Sequence, residues 1–97
     1  MAVTGLDAGF RPRLARGVRV RLDRLTGKHL LLRPEQGFEL QGSALEIVKL
    51  CTGGLTIEGI VERLAAAHVG ESRDQIEDDV HRLLGDLSRR GVIEMEP

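Results

Sequence analysis

Val18-Arg19-Val20-Arg21-Leu22-Asp23 alternates apolar and charged residues without a break. A period of two fits a strand half-buried on a core, with Val18, Val20 and Leu22 on one face and Arg19, Arg21 and Asp23 on the other. Immediately downstream, Arg24-Leu25-Thr26-Gly27 can close a hairpin into a second strand, Lys28-His29-Leu30-Leu31-Leu32-Arg33, whose Leu30 and Leu32 are predicted to face inward. Pro34 cannot donate to a ladder and stops that strand. Glu35-Gln36-Gly37 then turns the chain into a third strand, Phe38-Glu39-Leu40-Gln41, with Phe38 and Leu40 on one face.

Beyond Gly42 the apolar spacing changes to that of helices. Ser43 with Glu46, and Ser72 with Gln75, have capping-box spacing, and Thr56 is a suitable N-cap between them. Ala44, Ile47, Val48 and Cys51 form the stripe of a first helix stopping at Gly53-Gly54. Ile57, Ile60, Val61, Leu64 and Ala65 form that of a second ending near Gly70. Ile76, Val80, Leu83, Leu84 and Leu87 mark a third, terminated at Gly91, with Val92 predicted to fold back on Leu87. Upstream of the strands, residues 1–12 have no period, and Arg11-Pro12-Arg13 joins no regular element. They are expected to form a flexible N-terminal arm before a single domain at 13–97. The expected fold is α+β and winged-helix-like, a three-stranded antiparallel sheet followed by three helices in the order β-β-β-α-α-α.

The chain has 97 residues, enough for one modest core. Phe10 and Phe38 are its only aromatic residues, which disfavours modules that stack bases on rows of rings. Cys51 is the single cysteine, so an intrachain disulfide and a paired-thiolate zinc site are both excluded. No signal peptide or membrane-spanning run is evident, and a cytoplasmic setting is expected.

Candidate catalytic groups are few. His29, His68 and His81 fall on separate elements, without the i, i+4 spacing of a helical metal site. Cys51 sits on an apolar stripe, where an inert thiol is expected. Glu77 and Asp78 open a helix, where carboxylates offset the positive end of the macrodipole. Gly53-Gly54 ends a helix and is followed by no Gly-Lys-Ser/Thr, so there is no phosphate loop. The expectation is therefore a protein without catalytic residues, bound metal or cofactor.

The near-neutral net charge of −1 conceals a division. Residues 11–33 hold eight bases and one acid, a local net of +7, while residues 34–97 hold 13 acids and 6 bases, a net of −7. A winged-helix DNA-binding regulator is the competing reading of the element order. The helix that would enter the groove opens with Asp74, Glu77, Asp78 and Asp79, which phosphates would repel. Neither a nucleic acid nor a membrane is expected as a partner. The basic strand face suits either a solvated outer surface that protects a sheet edge from aggregation or a docking surface for an acidic partner.

Four blocks, read together, carry a resemblance. They are Pro12-Arg13-Leu14-Ala15-Arg16-Gly17-Val18-Arg19, Leu31-Leu32-Arg33-Pro34-Glu35, Ser43-Ala44-Leu45-Glu46-Ile47, and Asp79-Val80 running through Leu84, Leu87 and Gly91. In order and spacing over about residues 12–94, the chain closely resembles the pyrroloquinoline quinone (PQQ) biosynthesis protein D family, PqqD. Gln41 departs from it, since the family often places Asn there. The resemblance implies a non-enzymatic peptide chaperone, a recognition element for ribosomally made and modified peptides (RiPPs). Such a protein binds the precursor peptide PqqA by strand addition and presents it to the radical SAM enzyme PqqE. Carried onto this chain, the implied peptide-binding positions are Gly37, Phe38, Glu39, Leu40 and Gln41 on the third strand, and Asp79, Val80, Leu83 and Leu87 on the third helix. Of the helix residues, Leu83 is expected to be the most open. Arg16, Arg19 and Arg21 are the candidate enzyme-docking residues. A weak homodimer through the same strand edge is a further, lower-ranked expectation.

Overall fold

A computed structural model describes residues 8–97. The element order is β1 (Arg11–Leu14), β2 (Arg19–Asp23), β3 (Lys28–Arg33), β4 (Gln36–Leu40), α1 (Ser43–Lys49), α2 (Ile57–Ala67), α3 (Arg73–Arg89) and β5 (Ile93–Glu96). The expected antiparallel sheet is present in the order β2-β3-β4, followed by the three expected helices. A second, two-stranded sheet pairs β1 with β5.

That second sheet corrects the sequence reading. Arg11-Pro12-Arg13-Leu14 is a strand, set directly opposite Glu96, Met95, Glu94 and Ile93. Arg13 bridges Glu94 at 2.9 Å and Glu96 at 3.0 Å across the pair, and Pro12 is fully buried. The segment just before β1 is also tied down. The first N–H groups of α2 have no partner within the helix, and Phe10 and Ala8 supply carbonyls to Ile57 N–H (2.9 Å) and Glu58 N–H (3.1 Å). Thr56 completes the cap as expected, its Oγ1 accepting from Gly59 N–H at 3.0 Å. Residues 8–12 are thus built into the fold, and the first seven positions of the expected arm lie outside the described residues.

The three-stranded sheet carries a second correction. Three consecutive leucines make both parities of β3 apolar, so alternation alone cannot choose between them. Pairing decides: Leu31 lies opposite Val20 and Phe38 and is completely buried, whereas Leu30 and Leu32 lie opposite Arg21 and Arg19 on the outer face, half-exposed. The inner face, including Leu31 and Leu40, packs into one core with Ile47 and Val48 of α1, Ile57, Ile60, Val61 and Leu64 of α2, and Ile76, Val80, Leu84 and Leu87 of α3. Each fully buried aliphatic side chain contributes about 1.5–3 kcal/mol of transfer free energy.

The helix ends show which local signals prevailed. Ser72 caps α3, accepting from Gln75 N–H at 3.3 Å, while Gln75 Nε2 reaches forward to Asp79 instead of back to the cap. At α1 the expected Ser43–Glu46 box does not form. Gly42 is the N-cap with no side-chain bond, and the Glu46 carboxylate is taken by His68 of the α2 C-cap at 2.9 and 3.0 Å. A tertiary partner has displaced a local one. Gly42 turns the chain from strand to helix at φ 54 and ψ −127, a backbone region essentially closed to other residues. α1 ends at Lys49, earlier than the expected glycine stop. The end of α3 follows the expectation closely. Gly91 N–H donates to Ser88 O and Val92 N–H to Leu87 O, the paired bonds of a Schellman ending with Gly91 at φ 79.

Candidate functional site

β4 has one paired side and one open side, because it closes the β2-β3-β4 sheet. Its residues alternate as the period of two requires. Phe38 and Leu40 face the core, half-buried and buried respectively, while Gly37 and Glu39 face out. Glu39 lies 3.7 Å from Lys28 Nζ of β3 and accepts from Gln41 Nε2 at 2.7 Å, so its carboxylate is held by the neighbouring strand and by the turn that follows.

The strand leads through Gly42 into α1, and the start of α1 faces α3 across a groove of about 510 Å³. Ser43, Ala44 and Ile47 form one side, and Asp79, Arg82, Leu83, Asp86 and Arg89 the other. A second hollow of about 480 Å³ shares Ser43, Ile47 and Asp79 and extends towards Leu64, His68 and Ile76. Apolar and charged side chains both line the groove. Asp79 lies 3.7 Å from Arg82, which also pairs with Asp78 at 2.8 Å, and Asp86 pairs with Arg90 at 3.1 Å. Arg89 is the one cation lining this groove with no carboxylate partner among the described residues.

The far end of β4 is joined to α3 by another contact. The Arg90 guanidinium lies over the Phe38 ring, 5.3 Å from its centroid, and Arg33 Nη1 donates to the Arg90 carbonyl at 2.7 Å. A cation at the last carbonyls of a helix also satisfies the negative end of its macrodipole.

The sequence-predicted residues divide four ways. Asp79 and Leu83 line the groove. Val80 is fully buried and Leu87 4% exposed, so they support the groove from beneath, and Leu83 is the more open of the three. Gly37, Phe38, Glu39, Leu40 and Gln41 run along β4 and the turn after it. Arg16, Arg19 and Arg21 are exposed on and before β2, the opposite edge of the sheet, and do not join this site. Sequence reasoning missed Ser43, Ala44, Ile47 and Arg89, and also Arg82 and Asp86. The latter two were recoverable, since 79, 82, 83 and 86 recur at the i, i+3, i+4, i+7 spacing of one helical face.

The nucleophile candidate is closed off. Cys51 is 4% exposed, its Sγ donates to Ile47 O at 3.3 Å, and burial pushes its thiol up to about 12. His68 bridges Glu46 and Glu71, using a different ring nitrogen for each. Among the described residues no three His, Cys, Asp or Glu side chains group as metal ligands, and no helix is long and apolar enough to cross a membrane.

The class this architecture defines is a small α+β domain with an edge strand open beside a groove between helices. Residues 28–93 match the family model for coenzyme PQQ synthesis protein D (PqqD), a span that includes β4, all three helices and every groove residue. The chain belongs to the PqqD family. It is 37% identical over 93 residues, 96% of its length, to the bifunctional coenzyme PQQ synthesis protein C/D of Methylorubrum extorquens, spanning 24% of that longer protein. It is 31% identical to the PqqA binding protein of Xanthomonas axonopodis pv. citri, over 96% of this chain and 100% of that one. A PqqA binding protein of Rhodopseudomonas palustris is also 31% identical, with 86% and 80% covered. Among solved structures, the solution structure of the PqqD truncation of Methylobacterium extorquens PqqCD superposes with a TM-score of 0.76 at 35% identity, covering 97% of this chain and 99% of that one. That truncation represents a functional and stand-alone RiPP recognition element.

Proposed function

We propose that this chain is a non-enzymatic peptide chaperone of pyrroloquinoline quinone biosynthesis, which binds the precursor peptide PqqA and presents it to the radical SAM enzyme PqqE. The peptide adds as a strand to the open side of β4 along Gly37 to Gln41. Its inward-pointing side chains pack towards Leu83 and Asp79 over the buried Val80 and Leu87. Main-chain hydrogen bonds then supply affinity, and the groove selects side chains. The observation that carries this reading is the unpaired edge of β4 continuing into the groove between α1 and α3. Support also comes from the relatives that are PqqA binding proteins and from the RiPP recognition element of similar fold. Arg16, Arg19 and Arg21, on the other edge of the sheet, leave a separate face for the enzyme. The single buried, unpaired cysteine agrees with work in the reducing cytoplasm.

Micromolar affinity requires about 8 kcal/mol. Three apolar anchors at about 1.5–3 kcal/mol each, with several strand hydrogen bonds near 1 kcal/mol, reach that after about 2–5 kcal/mol for ordering the peptide. The test is titration of fluorescently labelled PqqA. Saturable binding in the micromolar range is expected, and Leu83→Asp should weaken it at least about tenfold while circular dichroism stays native. Absence of saturable binding at tens of micromolar overturns the reading.

A further inference from the structure

Exposed apolar surface and unpaired charge coincide at the β2–β3 hairpin. Leu25 is 96% exposed and Leu22 45%; the other strongly exposed large hydrophobic residue among those described is Val69, in the connection between α2 and α3. The hairpin tip is an ordered frame. Asp23 Oδ1 accepts from Leu25 N–H at 3.0 Å, Asp23 O from Gly27 N–H at 2.7 Å, and Thr26 Oγ1 from Lys28 N–H at 3.2 Å. These bonds hold a leucine out in water in one loop conformation, so burying it against a partner costs little further ordering.

Lys28 of the hairpin pairs with Glu39, but the nearby arginines do not pair. Arg16, Arg19, Arg21 and Arg24 have no carboxylate within ion-pair distance among the described residues, whereas Arg13 and Arg82 each have two and Arg90 has one. Leu22, Leu25, Leu30, Leu32, Arg21 and Arg24 border a shallow concavity of about 760 Å³. Asp23 also borders it, its carboxylate engaged by Leu25 N–H, so the two unpaired arginines beside an apolar centre complement a protein surface that carries an apolar spot among carboxylates.

We propose that this hairpin anchors an acidic protein partner, with Leu25 entering an apolar spot on it and Arg21 and Arg24 meeting its carboxylates. The proposal rests on the reading that the chain presents its peptide to an enzyme, and it moves the contact from the strand face of Arg16, Arg19 and Arg21 to the hairpin tip. A nucleic acid suits the site less well, because phosphates reward the arginines but leave Leu25 unburied, and the hairpin has no ring on which a base could stack. Since β2 and β4 are opposite edges of the sheet, this contact leaves the open side of β4 uncovered for peptide.

The test is calorimetric titration of purified PqqE into the full chain at low and high salt, with Leu25→Asp, with Arg21→Glu/Arg24→Glu, and with PqqA affinity measured alongside. Leu25→Asp changes a solvent-exposed position, and circular dichroism verifies its fold. Each variant should bind PqqE at least about tenfold more weakly, with wild-type affinity falling as salt rises and PqqA affinity held within about twofold. Unchanged PqqE affinity in both variants overturns the hairpin contact and leaves peptide presentation standing. Failure of the wild type to bind PqqE overturns both. Retention of duplex DNA by the wild type, lost in the arginine variant, overturns the proposal by giving the hairpin to nucleic acid.

Discussion

Arg90 spans from the end of α3 to Phe38 on β4, placing its guanidinium 5.3 Å from the ring centroid while its carbonyl receives Arg33. One residue thereby fixes the separation between the open strand and the helix that flanks the candidate groove. A half-exposed cation–π contact contributes about 0.5–1 kcal/mol. Arg90→Ala should lower stability by about 1 kcal/mol, the Asp86 ion pair adding a little, read as a shift of the urea midpoint with unchanged slope.

The two faces of β3 should respond differently to truncation. Leu31→Ala leaves a cavity in a fully buried layer and should cost about 2–5 kcal/mol, a large share of the 5–15 kcal/mol of a typical domain. Leu30→Ala and Leu32→Ala, on the outer face, should each cost less than about 1 kcal/mol. Urea unfolding of the three variants checks the register directly.

Gly42→Ala places a Cβ on a backbone held at φ 54 and ψ −127. Nothing lies within 4 Å of that Cβ, so conformational strain dominates, and a loss of about 1–3 kcal/mol is expected. Thermal unfolding followed by circular dichroism measures it. Peptide titration of the same variant reports how far the corner between β4 and α1 sets the groove.

Cys51 supplies a pH signature. Its thiol is raised from 9.0 to about 12 by burial, so the folded state retains a proton that the unfolded state releases. The contribution is fully present below about pH 9 and is lost as pH rises towards 12, at up to about 1.4 kcal/mol per pH unit. Cys51→Ala should flatten that alkaline slope in denaturant titrations. At about pH 8 the native thiol should resist a thiol reagent until denaturant opens the core.

Truncation to start at Ala15 removes β1 and the carbonyls that cap α2. It also leaves Ile93 and Met95 without a paired strand. The protein should lose several kcal/mol and expose β5. Hydrogen exchange at Ile57, Glu58 and Val92 to Glu96 is the direct measurement.

The parts of the fold that were legible were those whose signals are local. The alternation at Val18 to Leu22, the Thr56 and Ser72 caps and the Gly91-Val92 ending each depend on residues a few places apart. β1 and β5 were invisible because each is four residues long, one contains a proline, and they meet across the length of the chain. The inner face of β3 was misassigned because Leu30-Leu31-Leu32 satisfies both alternations, and only pairing with Val20 resolves them. The box at Ser43 failed for a related reason, since His68 competes for Glu46 from another helix. In the candidate site, the strand and helix positions came from resemblance, whereas the α1 wall required knowing which face of α1 meets α3.

The β1–β5 pairing sets Arg11 opposite Glu96, in a different sheet from the one that holds β4. The first and last strands of the described fold therefore meet at a single corner. A ribbon that joins the two ends of the described fold couples their fraying, so that releasing either strand releases the other. That mutual closure thus comes from the same short ribbon that alternation could not reveal.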